Sequence, residues 1–277
     1  MRAVIITSSL GCVLATAAPA QTEPVSVRLV PHRAVYELSL GRADSSSRGI
    51  DTARGRIAFD FGGDACEGYT LKYRQVTVME GGETGSRTLD VRTATFESGD
   101  GKTMRFRSDS RSERGASTGT DGEASRTDDD LSIRLKQPRR ETVTVPGETV
   151  FPTDHMKRVI AAAKGGRTTL AVKLFDGSDD GKKIYDTLSL IGRKIDPGAG
   201  SAPEEAAKQD ALARTSRWPV TVSYFHAGSG DQTPAYTISF ELYENGISRA
   251  LKLDYGDFAL TGELKTVEVQ PYTDCQR

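Results

Sequence analysis

Alternation between apolar and polar residues constrains the fold of this chain more than any other feature of its sequence. A β-strand points successive side chains to opposite faces, so an alternating run can bury one face and expose the other. Such runs recur along most of the chain; clear examples are residues 34–40, 57–61, 69–73, 170–174 and 236–242. We count about a dozen of them, which predicts an all-β fold.

Short polar turns separate these runs. Gly, Asp and Asn favour tight turns because they tolerate backbone conformations that most residues avoid. The turn sequences are GGD (62–64), GG (81–82), GDG (99–101), DG (176–177) and ENG (244–246). Because turns of this kind join antiparallel neighbours as hairpins, the sequence predicts one meandering antiparallel sheet.

The last alternating run changes phase. The apolar residues on its buried face are Phe258, Leu260 and Leu264 in the first part, and Val267 and Val269 in the second. One extra residue in a strand restores such a pattern to the same face. We therefore expect a β-bulge near Lys265.

A single segment has the spacing of an amphipathic helix. Its apolar stripe consists of Met156, Val159, Ile160 and Ala163. Thr153 is the predicted N-cap, and the two glycines at 165–166 are predicted to end the helix. We expect a helix over about residues 153–164 that packs in or on the sheet and plugs one mouth of it.

Two segments lack the pattern of a buried strand. Residues 108–130 contain no large apolar side chain, which predicts an exposed hairpin tip or loop. Residues 196–216 are rich in turn residues at first and in alanine from 204 to 214. The alanine-rich part is expected to form a short surface helix or to remain mobile.

The N-terminus has the composition of an export signal. Arg2 is followed by an apolar stretch, and Ala18-Pro19-Ala20 matches a small-x-small cleavage site. We predict a signal peptide over residues 1–20, cleavage between Ala20 and Gln21, and one β-domain over residues 21–277. An alternative is a lipoprotein box at 9–12 with Cys12 lipidated. It is disfavoured because the apolar stretch continues past that cysteine.

Two cysteines, Cys66 and Cys275, follow the signal. In the oxidising compartment that an exported protein reaches, a lone pair of cysteines predicts a disulfide. Such a bond would tie the end of the chain to an early strand. The loop that it closes is long, so the chain-entropy estimate of its stabilisation is about 5 kcal/mol as an upper bound.

The charge balance argues against a nucleic-acid partner. The chain has 37 Lys and Arg against 38 Asp and Glu, a formal net charge of −1, whereas nucleic-acid binding needs a clustered basic surface. After residue 20 no apolar run approaches the length of a membrane span. We therefore expect a mature protein that is not transmembrane.

No motif predicts a catalytic, cofactor-binding or metal-binding residue. The segment DGSDDG (176–181) resembles a calcium loop, but Thr187 stands where a bidentate glutamate should close the site. A tight acidic turn with local hydrogen bonds is the favoured interpretation. The histidines His32, His155 and His226 are scattered, and nucleophile, phosphate and dinucleotide motifs are absent.

Longer strings of the sequence resemble one known family. They are PHRAVY (31–36), ARGR (53–56), ACEGYT (65–70), FPTDHM (151–156), FDGSDDGKK (175–183), WPV (218–220), FELYENG (240–246) and DYGDF (254–258). Together with the late Cys275, they resemble the EipB-like family of cell envelope integrity proteins of the alphaproteobacterial periplasm. The resemblance runs from about residue 32 to residue 275.

The resemblance implies an antiparallel β-spiral, which is an unclosed barrel with a helix in its interior. It also implies a disulfide between the positions of Cys66 and Cys275, a periplasmic location, and maintenance of the cell envelope without an assigned reaction. Our leading hypothesis is accordingly a non-enzymatic periplasmic protein that acts through an unidentified protein partner, without a cofactor.

Two other hypotheses remain open. The protein could be a carrier that binds a lipid or another apolar ligand in the cup of the curled sheet, since mouths of barrels are common ligand sites. A hydrolytic enzyme would require the fold to bring a histidine, an acid and a hydroxyl together in one cleft.

Overall fold

Fourteen β-strands form one antiparallel sheet in the part of the chain that the structure describes. The structure, a computed structural model, describes residues 27–43, 50–82, 85–113, 115, 117–201, 204–230 and 232–271. The predicted signal peptide with its cleavage position, Ala20 and Gln21, and the predicted disulfide partner Cys275 lie outside these residues.

The strands are β1 (His32–Ala43), β2 (Thr52–Asp64), β3 (Gly68–Gly81), β4 (Gly85–Glu97), β5 (Thr103–Ser112), β6 (Thr118–Arg126), β7 (Asp130–Gln137), β8 (Glu141–Pro146), β9 (Thr169–Leu174), β10 (Tyr185–Ile191), β11 (Arg217–His226), β12 (Tyr236–Tyr243), β13 (Ser248–Asp254) and β14 (Phe258–Val269). Helix α1 (Pro152–Lys164) connects β8 to β9. A 3-10 helix (Glu205–Lys208) and the short helix α2 (Asp210–Ala213) lie between β10 and β11.

Two meanders make up the sheet, and the first and last strands join them. The strand order is β8-β7-β6-β5-β4-β3-β2-β1-β14-β13-β12-β11-β10-β9. The two ends of the described chain therefore pair at the centre of the sheet, and the two strands that flank α1 are its edges. Because neighbouring strands twist in one direction, a sheet of this width coils.

The two edges meet at one residue. Val150, which follows β8, forms a parallel bridge with Leu174 at the end of β9. Its N–H donates to the Lys173 carbonyl at 2.8 Å, and the Phe175 N–H donates to the Val150 carbonyl at 3.0 Å. A single bridge does not close the sheet into a barrel, so the predicted all-β, unclosed antiparallel fold is confirmed.

The predicted bulge is present in β14. Val35 of β1 pairs with Thr266, whereas Tyr36 pairs with Leu264, so Lys265 is the extra residue. The shift allows Leu264 and Val267 to face the core on the two sides of the bulge, with 1% and 7% of their surface exposed.

Helix α1 lies inside the spiral. Val159 and Ile160 pack in one cluster with Phe61 of the first meander and with Trp218 and Leu242 of the second. The predicted end is correct, because Gly165 caps the helix and donates its N–H to the Ala161 carbonyl at 2.9 Å. The predicted start is not: Phe151 is the N-cap and Pro152 the first helical residue, so Thr153 is already in the first turn.

The prediction of an exposed hairpin tip or loop over 108–130 is wrong for most of that segment. β5 continues to Ser112, and β6 occupies half of the rest. Small residues suit β6 because its neighbours supply the bulk: a Cβ at Gly122 would lie 2.7 Å from the Phe106 ring. Met104 of β5 and Ile133 of β7 are fully buried beside it.

The alanine-rich segment 204–214 is helical, as predicted, but it does not lie free on the surface. Ala207 and Leu212 are buried in the core with 2% and 1% exposure. Glu204 anchors the segment, since its carboxylate accepts hydrogen bonds from the backbone N–H groups of Ala250 and Leu264, at 3.1 and 3.0 Å.

Candidate functional site

A small cavity lies where the first turn of α1 meets the inner face of the first meander. We call it the α1 cavity; its volume is about 160 Å3. Most of its wall is apolar, and two titratable side chains reach it. The lining residues used below are Leu29, His32, Phe59, Phe61, Leu71, Glu97, Thr153 and Met156.

An aromatic row supports one side of the α1 cavity. The His32 ring stacks on Phe59 with centroids 5.3 Å apart, and Phe61 stacks on Tyr69 at 5.7 Å. His32 Nδ1 lies 2.7 Å from the Val30 carbonyl. Because a carbonyl only accepts hydrogen bonds, Nδ1 carries the proton. Burial lowers the pKa of His32, although the bond to Val30 opposes the shift. The ring is therefore held neutral and fixed in orientation.

Glu97 is the buried carboxyl of the α1 cavity. It is the last residue of β4 and is only 3% exposed. Its two oxygens accept the Thr153 N–H at 3.0 and 3.1 Å, and Oε1 also accepts the Thr153 hydroxyl at 2.8 Å. The Phe151 N-cap makes no side-chain hydrogen bond. A side chain from β4 thus replaces the local cap that the sequence predicted at Thr153.

Burial raises the pKa of Glu97 to about 7, although the hydrogen bonds from Thr153 favour the charged form. The positive end of the α1 dipole also favours a carboxylate at this place. Glu97 therefore changes charge near neutral pH, at the point where the helix is attached to the sheet. With both oxygens bonded to Thr153, this group positions α1.

The structure places the three histidines in different surroundings. His32 belongs to the α1 cavity, and His226 at the end of β11 lies beside the Tyr185 ring, 5.9 Å between centroids. His155 Nε2 lies 3.4 Å from the Ser189 hydroxyl. Ser189 is completely buried, and burial lowers the pKa of His155 to about 4.

The contact between His155 and Ser189 does not make a hydrolytic site. Both side chains lie in the core, where a substrate has no access. The neighbouring acid, Asp154, is engaged by Arg126 at 2.8 Å and by Arg158 at 3.3 Å. His155, Ser189 and Asp154 therefore do not form the open cleft that the hydrolase hypothesis requires. His32, Glu97 and Thr153 do line one cavity, but Glu97 is hydrogen-bonded to Thr153 and the His32 ring proton is directed at the Val30 carbonyl.

The acidic turn at 176–181 has the local hydrogen bonds that we predicted. The Ser178 N–H donates to the Asp176 carboxylate at 2.9 Å, and the Lys182 N–H donates to Asp180 at 2.9 Å. Thr187 lies within β10, where its hydroxyl donates to the Val172 carbonyl at 2.9 Å. It therefore does not close the loop. Within the described ranges, no group of three or more His, Cys, Asp or Glu side chains could hold a metal ion.

Sequence reasoning missed Glu97, but the sequence contained a signal for it. Alternation along β4 places Leu89, Val91, Thr93 and Thr95 on the inner face, and Glu97 follows in the same phase. A carboxyl on an inner face needs a hydrogen-bonding partner. The α1 N-terminus, more than fifty residues away, could not be identified as that partner from the sequence.

Across the described residues, no helix is both long enough and apolar enough to cross a membrane.

Glu97→Gln should flatten the pH dependence of stability. Because the pKa of Glu97 is about 7 in the folded protein and the ordinary value is 4.5, the folded state binds more protons than the unfolded state between these values. The free energy of unfolding should therefore fall from pH 5 to pH 8, by up to about 3 kcal/mol from this group. The amide keeps an acceptor for Thr153 and loses no proton.

Urea unfolding of both proteins at several pH values measures this difference. Glu67→Gln, which changes an exposed glutamate in the β2–β3 turn, serves as the control and should keep the wild-type profile. An identical fall in Glu97→Gln and the wild type would contradict the assignment.

The comparisons with known proteins agree with this fold. The sequence profile of the EipB-like family matches residues 24–271. The cell envelope integrity protein EipB of Brucella abortus (strain 2308) is 37% identical over 246 residues, which is 88% of this chain and 85% of that protein. The crystal structure of a β-barrel-like protein from Brucella abortus superposes with a TM-score of 0.81 at 37% identity, covering 89% of this chain and all of that one. This chain is a member of the EipB-like family.

Proposed function

We propose that this protein maintains the integrity of the cell envelope from the periplasm, and that it acts by binding a partner protein and not by catalysis. The observation that carries the proposal is the 37% identity to the Brucella abortus envelope integrity protein over 88% of the chain. Export by cleavage between Ala20 and Gln21 is part of the same proposal.

The chemistry of the α1 cavity favours a non-catalytic role. The Glu97 carboxyl is hydrogen-bonded to the N–H and hydroxyl of Thr153 in the first turn of α1. The His32 ring is held by Val30 and by its aromatic neighbours. A general acid or base must reach the proton that it transfers. The contacts of Glu97 and His32 therefore favour a structural role for both side chains.

A strain that lacks this protein should lose resistance to detergent. The full-length gene should restore it, and so should a Ser189→Ala variant, because a binding protein does not need a hydroxyl in the core. Survival on deoxycholate measures both. Loss of rescue by Ser189→Ala, with the protein folded and present at normal levels, would contradict the non-catalytic proposal. A deletion strain with normal resistance would contradict the envelope role itself.

We also propose that Cys66 and Cys275 form a disulfide. Cys66 lies in the β2–β3 turn. His32 pairs with Phe61 on one side and with Val269 on the other, so that turn and the end of β14 lie at the same end of the sheet.

The chain has the reach that the disulfide requires. Two strand spacings are about 10 Å, and the β2–β3 hairpin continues about 10 Å beyond Phe61 to its turn, so the gap is about 15 Å. The residues between Val269 and Cys275 can span up to about 20 Å when extended.

Cys66→Ser and Cys275→Ser should each lower the free energy of unfolding by about 2–5 kcal/mol, because the open chain gains conformational freedom when unfolded. The double variant should lose no more than either single variant. Thermal unfolding of protein purified from the periplasm tests this. Free thiols at both positions in the native protein, or wild-type stability in both variants, would contradict it.

The second candidate function is the binding of an apolar ligand, and the α1 cavity favours it. The cavity has nearly the volume of an engineered protein cavity of about 150 Å3 that binds benzene. It can hold one ring or a short alkyl group. A complete lipid tail would require α1 to move away from Glu97.

Met156→Phe, which narrows the α1 cavity, distinguishes the two functions. If the protein acts through a partner protein, the variant should restore detergent resistance as well as Met156→Leu, which nearly preserves the volume. Loss of rescue by Met156→Phe alone, together with a bound apolar molecule in native mass spectra of the wild type, would favour the ligand carrier.

A further inference from the structure

The outer face of β1–β5 carries a groove that none of the functions above explains. Its volume is about 440 Å3, and we call it the outer groove. Its floor consists of the short side chains of Val35, Ala58 and Ala94. Charged side chains surround this floor; they are Arg33, Asp60, Lys72, Arg74, Arg92, Arg107 and Asp109.

The strand register explains the shape of the outer groove. Ala58 pairs with Val35 on one side and with Arg74 on the other. Ala94 pairs with Lys72 and Arg107. Three short side chains therefore stand next to long ones on this face, which leaves a recess above them.

Positive charge exceeds negative charge in the outer groove. Its lining has five cations and two carboxylates. Arg33 pairs with Asp60 at 3.3 Å, and Arg107 pairs with Asp109 at 3.3 Å. Each of these two pairs has no net charge, so the excess positive charge comes from the remaining three cations.

Those three cations are incompletely paired. Arg74 and Arg92 share the single carboxylate of Asp90, at 2.9 and 3.0 Å. No carboxylate among the described residues lies within ion-pair distance of Lys72. The groove therefore carries about two uncompensated positive charges, on a chain with a net charge of −1.

Arg74 and Arg92 are a like-charged pair on the outer face of the sheet. They are direct cross-strand partners, and uncompensated like charges at such positions destabilise a sheet. Asp90 compensates one of the two charges, because it accepts two hydrogen bonds from each arginine. Both arginines are about half exposed, at 50% and 51%, so their guanidinium groups remain accessible to a ligand.

We propose that the outer groove binds an acidic segment of a partner protein, with an aliphatic side chain on the Val35–Ala58–Ala94 floor and carboxylates on Lys72, Arg74 and Arg92. This proposal rests on the proposed function, which requires a partner protein. Arginine suits this role because its planar fork binds carboxylates with two hydrogen bonds.

Shape favours a peptide over an anionic membrane. The floor residues are recessed between charged side chains, so a flat bilayer surface cannot touch them. A narrow segment can reach the floor and the three cations beside it at the same time. The nearby carboxylates of Glu37, Glu80 and Asp109 are each paired with an arginine, so they do not cancel the charge of these cations.

Fluorescence anisotropy with a labelled peptide of alternating Glu and Leu tests the outer groove in the complete mature protein. Lys72→Glu and Ala94→Trp should each weaken peptide binding at least about tenfold, the first by charge and the second by filling the floor. Arg167→Glu changes an exposed arginine in the α1–β9 connection by the same charge and should bind as the wild type does. All variants should unfold at the wild-type urea concentration.

Equal peptide binding by the wild type and both groove variants would overturn the proposal. So would binding to phosphatidylglycerol vesicles without binding to the peptide.

Detergent resistance separates this proposal from the proposed function. Lys72→Glu should fail to restore resistance, and Arg167→Glu should restore it. If Lys72→Glu restores it fully, the outer groove is not the partner site, but the envelope role stands. If the deletion strain itself is resistant, the envelope role fails whatever the peptide does.

Discussion

The pairing of β1 with β14 is the interaction on which the rest of the structure depends. It joins strands that lie roughly 200 residues apart along the chain, and the entropy of closing that loop opposes it. The buried side chains of Tyr36, Leu260 and Leu264 lie along this pairing. Without it the two meanders would be separate sheets, each with an additional unpaired edge.

The same pairing explains where the edges of the sheet lie. Because the ends of the described chain occupy the centre, the middle of the chain forms both edges, and α1 connects them through the interior. The parallel bridge at Val150 then needs to join only one residue to β9. α1 fills the space between the two meanders, which leaves a cavity of about 160 Å3 at its first turn.

Charge is treated differently inside and outside the spiral. In the interior, Arg249 is 2% exposed, and its guanidinium donates to Glu241 at 2.8 Å and lies 3.4 Å from Glu204. Burial raises the pKa of Glu241, but the hydrogen bonds from Arg217 and Arg249 outweigh it and hold that pKa below its usual value. Buried charge requires such compensation. Lys72 in the outer groove has no such compensation among the described residues, and it is exposed, so water solvates its charge.

The sequence by itself determined the features that depend on residues close together in the chain. Alternation and turn residues predicted an all-β antiparallel fold, a phase change located the bulge at Lys265, and helical spacing located α1. Resemblance to a family supplied the unclosed barrel and the envelope role. The sequence could not predict the true start of α1, because Glu97, which accepts the Thr153 N–H in the first turn, belongs to β4.

Only the tertiary structure decided the features that depend on contacts between residues far apart in the sequence. β6 is a strand although its own side chains are small, because Phe106 and Ile133 on its neighbours fill the core. Glu97 meets α1, and Ala58 and Ala94 form one floor, only once β1–β5 are in register. Local patterns follow from the geometry of one strand or helix, whereas cavities, caps and charged grooves follow from the register between strands, which no single segment encodes.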